Sequence, residues 1–159
     1  MATSEKTLSK LETLHFEISI KAPAMKVYQV MLDEKTYKEW TSVFNATSQF
    51  VGSWEKGSKV LFVGTDEKGE TGGMVSRIKE NIPGKFVSIE HLGILAGDKE
   101  ILEGPEVEGW AGALENYTFT EKNGETLLGV DLDSNQEFKD MFSDLWPKAL
   151  EKLKAIVEK

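Results

Sequence analysis

The chain has 159 residues, 40% hydrophobic and 29% charged, with a formal net charge of −8 and no cysteine. These proportions fit one ordinary globular domain and exclude disulfides, thiolate metal sites and cysteine nucleophiles. The negative charge, with no Lys/Arg-rich run to offset it, argues against a nucleic-acid partner. No apolar run approaches the ~20 residues that cross a bilayer, so no membrane insertion is expected.

Residues 1–10 are polar and contain no apolar signal core, so they read as an extension ahead of one domain over 11–159, with a cytoplasmic location. From Leu14 to Ile20 the residues alternate, with Leu14, Phe16, Ile18 and Ile20 on one face and His15, Glu17 and Ser19 on the other. That period predicts a half-buried strand and puts His15 on the surface. Pro23 then stands where a helix can begin, and Asp33 is placed to cap a second short helix running through Trp40.

Segments rich in β-branched and aromatic residues follow at about 46–51, 58–64, 71–80, 85–94, 110–120 and 125–133. Asp66 to Gly69, Ile82-Pro83-Gly84 and Lys122-Asn123-Gly124 supply turns between them. Asn123-Gly124 is the sharpest signal, because a primed hairpin turn needs two residues that tolerate positive φ. Gly72-Gly73 reads as a bend or bulge, not as a phosphate loop.

Ser134 and Glu137 form a capping-box pattern ahead of Phe138, Met141, Phe142, Leu145, Ala149, Leu150, Leu153, Ile156 and Val157 at helical spacing. Pro147 interrupts that stripe. A break near Ser143 or Asp144 is expected, with Asp144 capping the main helix and Pro147 in its first turn. The order of one strand, two short helices, six strands and a long helix, without βαβ alternation, predicts an α+β fold with a single antiparallel sheet.

That order, with Lys21 to Tyr28 leading to Tyr37-Lys38-Glu39-Trp40, resembles the START-related lipid-binding (SRPBCC) superfamily. Within it the chain looks like the branch named after the activator of the heat-shock chaperone ATPase. The likeness covers about 12–158 and includes Ile89-Glu90-His91-Leu92-Gly93, Glu115-Asn116-Tyr117-Thr118 and Leu145 to Leu153. It implies a helix-grip fold: a curved seven-stranded sheet around the last helix, enclosing a cavity that in relatives accepts lipids, sterols, polyketides or other apolar molecules. Fold alone does not carry a reaction.

Two histidines without an HExxH pattern do not assemble a metal site, and no nucleotide-binding loop is present, so neither metal nor cofactor is implied. Alternation places His91 on one face with Val87 and Ile89, and Glu115 on one face with Ala111, Ala113, Tyr117 and Phe119. An inward carboxylate needs a partner, so His91, Glu115 and Tyr117 are candidates for the few polar groups that orient an apolar ligand. The competing reading is a satisfied polar network in a filled core. Trp40, Phe62, Phe142 and Trp146 are candidate wall residues. The acidic stretch from Leu95 to Gly109 is too long for a tight turn and reads as a solvated loop, with a lid over the cavity mouth as its functional version.

Three functions follow. The first is noncatalytic binding or carriage of a small apolar molecule, favoured because no nucleophile–base pattern is visible. The second is a cyclase, hydrolase or isomerase using Glu115 or His91 for proton transfer. The third is a regulatory role with a chaperone as protein partner.

Overall fold

The computed structural model describes residues 11–159, so the extension read at 1–10 lies outside the described residues. Strand β1 (Glu12–Ile20) leads into α1 (Ala24–Leu32), α2 (Glu34–Trp40) and a 3-10 turn at Thr41–Val43. Then come β2 (Gln49–Gly52), β3 (Lys59–Thr65), β4 (Thr71–Ile82), β5 (Phe86–Ala96), β6 (Lys99–Ile101), β7 (Leu114–Lys122) and β8 (Glu125–Ser134). Helix α3 (Gln136–Val157) closes the chain.

The sheet is antiparallel in the order β1-β8-β7-β5-β4-β3-β2, which is the seven-strand path expected of a helix-grip fold. The three-residue β6 is an addition that the sequence did not announce, pairing Ile101 with Ile94 and Lys99 with Ala96. It continues the β5 edge beyond the stretch that β7 occupies.

Local chemistry explains most boundaries. Asp33 caps α2 by accepting from the backbone N–H groups of Lys35 and Thr36. The Ala24 N–H at the start of α1 is satisfied from across the fold by Glu121 Oε1 at 2.8 Å. Asn123 and Gly124 have φ of 56° and 81°, as the primed hairpin requires.

Three expectations need correction. The N-cap of α3 is Asn135, whose side chain accepts from Phe138 N, and not Ser134. Ser134 still pairs with Glu12 as the last residue of β8, so the chain leaves the sheet one position later. Second, α3 runs unbroken through Pro147. Ser143 and Pro147 both lie on the exposed side of the helix, so the carbonyl that proline leaves without a helix donor faces water, which removes the reason for a break. Third, Gly72 and Gly73 stay in register with Gly64 and Val63; the register shifts come later, at Val75/Ser76 and Ile78/Glu80. What Gly73 supplies is close approach. Its φ is +151°, and a Cβ there would stand 1.9 Å from Phe62 O.

α3 is about 33 Å long at 1.5 Å per residue and packs along β1. Its second half buries Ala149, Leu150, Leu153 and Val157 in the main core with Ile20, Val27, Met31, Leu128 and Val130. α1 and α2 pack against the same helix and close that end.

Candidate functional site

The other half of the sheet and helix do not meet. Between them lies a cavity of about 870 Å³. Its walls come from α2 and the following turn, from β3, β4, β5, β7 and β8, and from Met141, Phe142, Leu145 and Trp146 of α3. All seven residues singled out from the sequence line it: Trp40, Phe62, His91, Glu115, Tyr117, Phe142 and Trp146.

Each is held by identifiable contacts. The Trp40 indole donates to Met31 O at 2.9 Å, which fixes its ring against Trp146 at 5.9 Å between centroids. Trp146 also packs on Phe44 at 5.1 Å and on Tyr117 at 6.3 Å, so it stands where the filled core gives way to the hollow. Phe62 meets the His91 ring edge-on, and Trp110 stacks flat on the same imidazole with an interplanar angle of 10°.

The polar groups form one chain of hydrogen bonds. Ser76 Oγ lies 2.7 Å from His91 Nδ1, His91 Nε2 lies 3.1 Å from Glu115 Oε1, and the Tyr117 hydroxyl donates to Glu115 Oε2. Ser76 is completely buried and its hydroxyl has no other bond among the described residues. With Ser76 donating to Nδ1, the Nε2–H is free to donate to Glu115, and every polar atom of this hydrogen-bond chain has a partner. Burial, and then the negative charge of Glu115, push the Tyr117 phenol well above its ordinary range and keep it a donor. Burial and Glu115 raise Tyr37 in the same way, with the Ser48 hydroxyl pulling slightly in the opposite direction.

Serine, imidazole and carboxylate in a row suggest nucleophilic chemistry, but the order faces the wrong way for it. Glu115 and Tyr117 are on the cavity wall, whereas Ser76 lies behind His91 and lines no part of the cavity. The end of the chain that faces the cavity is the carboxylate.

The sequence reading missed Ser76, Tyr37 and Trp110. Tyr37 had a signal, since it sits one helical turn before Trp40 and is buried with it. Trp110 was assigned to a strand that begins only at Leu114. The stretch 95–109, for which a solvated loop and a lid are the two readings, touches the cavity at Ala96 and Gly97, and none of residues 98–109 lines it. This stretch instead pairs β6 with β5 and buries Val107, consistent with apolar anchors drawing the loop onto the sheet edge. His15 is on the surface as expected, but bonded at 2.7 Å to Asp131 and 2.9 Å to Glu17.

Solved structures share this architecture. The Aha1 dimer from Colwellia psychrerythraea aligns with a TM-score of 0.68 at 22% identity, over 92% of this chain and 96% of that one. A protein from Rhizobium leguminosarum aligns with a TM-score of 0.67 at 14% identity, over 94% and 95%. CalU16 from Micromonospora echinospora aligns with a TM-score of 0.61 at 16% identity, over 92% and 74%. At these identities the likeness concerns the fold. No curated protein matches the sequence significantly. The family model described as Activator of Hsp90 ATPase homolog 1-like protein matches residues 21–158, nearly the whole chain, and the protein therefore belongs to that family.

Proposed function

We propose that the protein binds a small, largely apolar molecule in the space between the sheet and the first half of α3. The observation that carries this reading is the cavity itself: about 870 Å³, walled largely by aromatic rings, with the Glu115 carboxylate held among them by His91 and Tyr117. Ligand sites of about 300–1,000 Å³ commonly have this composition, an apolar wall with a few fixed polar groups that set orientation.

The family description names an activator of a chaperone ATPase, which makes a protein partner the rival reading. A docking face would gather exposed apolar side chains. Here the large ones are spread over several elements, with Met25 on α1, Val51 on β2, Ile82 on β4, Leu127 on β8 and Phe138 and Met141 on α3. The hollow interior favours the ligand.

Gly72 offers a clean test. It lines the cavity, and a Cβ there meets only Leu95 O at an ordinary 3.6 Å, so the backbone leaves room for a side chain to start at this position, and Gly72→Leu is the filling variant. The neutral fluorescent probe N-phenyl-1-naphthylamine is expected to bind the wild type saturably and the filled variant at least about tenfold more weakly, a difference of ~1.4 kcal/mol. Native mass spectrometry should likewise find copurifying small molecules on the wild type and not on G72L. Equal probe binding by both proteins, with G72L folded, would remove the cavity from consideration.

A further inference from the structure

Among the described residues, the charged side chains around the cavity are all of one sign: Asp66, Glu70, Glu115 and Asp133, with no lysine or arginine in the wall. Two of these carboxylates are already engaged in holding the fold. Asp66 accepts from the backbone of Lys68 and Glu70, and Asp133 accepts from Leu114 N and from the Thr13 hydroxyl. Glu115 is different. It accepts one bond at each oxygen, from His91 and from Tyr117, and an ionised carboxylate has room for about four. Its side chain is only 12% exposed, so water gives its charge little solvation beyond what the cavity admits.

Charge balance points the same way. Among the described residues no lysine or arginine pairs with Glu115, and the Tyr117 phenol supplies a dipole but no charge. Phe62 and Trp110 pack on His91, and Trp146 packs on Tyr117, with ring centroids within 6.3 Å. A carboxylate set in such a largely water-excluded aromatic wall attracts a cation and repels an anion.

We infer that the ligand is a lipophilic amine: an apolar body bearing one protonated nitrogen, which docks on the free lone pairs of Glu115 between Tyr117 and the surrounding aromatic rings. This rests on the cavity being a ligand chamber. It selects against fatty acids, phospholipids and other anionic apolar molecules, because no lysine or arginine among the described residues lines the cavity and the net charge of −8 repels them on approach. Ser76 anchors the imidazole from behind the wall, and His91 and Tyr117 together fix the carboxylate in place.

The test uses three probes with one ring system: 1-naphthylmethylamine, 1-naphthylmethanol and 1-naphthoate, each competing with N-phenyl-1-naphthylamine at neutral pH. The amine is expected to bind about tenfold tighter than the alcohol, the step that a charge-assisted hydrogen bond adds, and the naphthoate weakest of the three. Glu115→Gln keeps size and an acceptor but removes the charge, and should bring amine and alcohol to within about twofold. If E115Q does not fold, the N-acetylated amine serves instead on the wild type, and it should bind no better than the alcohol. Naphthoate binding as tightly as the amine overturns the inference. So does an alcohol that competes while the amine does not, an outcome that leaves the cavity reading standing. Failure of every naphthyl compound and of the fluorescent probe itself overturns both.

Discussion

The two halves of α3 are built from the same kind of stripe and do opposite things. Beyond Trp146 the residues Ala149, Leu150, Leu153 and Val157 are sealed against β1, β8 and α1. Before it, Phe138 and Met141 are exposed, and Phe142 and Leu145 face a hollow. The hydrophobic period of a helix states which side turns inward, and it does not state how far away the opposite surface is. Here the distance is set by the aromatic column of Phe16, Trp40, Phe44 and Tyr117 around Trp146, which spaces helix and sheet at the boundary.

The most severe way to break this comparison is to truncate one large side chain in each half. Leu153→Ala removes a fully buried side chain from the packed half and should cost about 2–5 kcal/mol, the usual range for a cavity in a filled core. Phe142→Ala removes a larger side chain from the hollow half and should cost no more than about 1.5 kcal/mol, because the wall there has few atoms to lose contact with. Urea titration of both variants checks this. Equal losses would mean that the two halves are packed alike.

How much of this was legible in the sequence depends on whether a feature is local. The inward face of β5 was readable, because period-two alternation over Val87, Ile89 and His91 survives in the structure. The partner of His91 was not. An unbroken ladder from the Ile82–Phe86 pair would set His91 opposite Arg77, and the extra residue on β4 at Lys79 shifts Ser76 into that place. One unpaired residue, invisible in the hydrophobic pattern, decides whether the imidazole meets a guanidinium or a hydroxyl. Pro147 shows the complementary limit: its cost depends on whether the carbonyl one turn back faces water, and only the docked helix settles that.

Pro147 also marks the joint between the halves, and replacing it sharpens the comparison. Pro147→Ala restores a backbone donor one turn after Ser143 and should stabilise the protein by about 1–3 kcal/mol, part of the penalty that proline carries in a helix interior. Proline bends a helix around the core it packs on, so straightening should lift Met141 and Phe142 from the mouth. The expected pair of results is a higher thermal midpoint and weaker binding of N-phenyl-1-naphthylamine. A variant that gains stability and binds as before would show that the joint has no part in shaping the hollow.

The smallest effect comes from the outer face of the sheet and serves as the control. Hydrogen bonds that His15 donates to Glu17 and Asp131 favour its imidazolium form and raise its pKa above the ordinary 6.5. A folded-state pKa that is raised contributes stability in full below the unfolded value, and the contribution disappears as pH rises through the folded one. The stability gap between wild type and His15→Gln should therefore be widest below pH 6.5 and close as pH climbs past the raised value. Because 52% of the side chain is exposed, the gap stays within the ~0–1 kcal/mol of solvent-screened pairs. His15 contacts no part of the cavity wall, so probe affinity should be the same in both proteins at every pH, and a difference would mean that the sheet transmits charge changes from its outer face to the hollow.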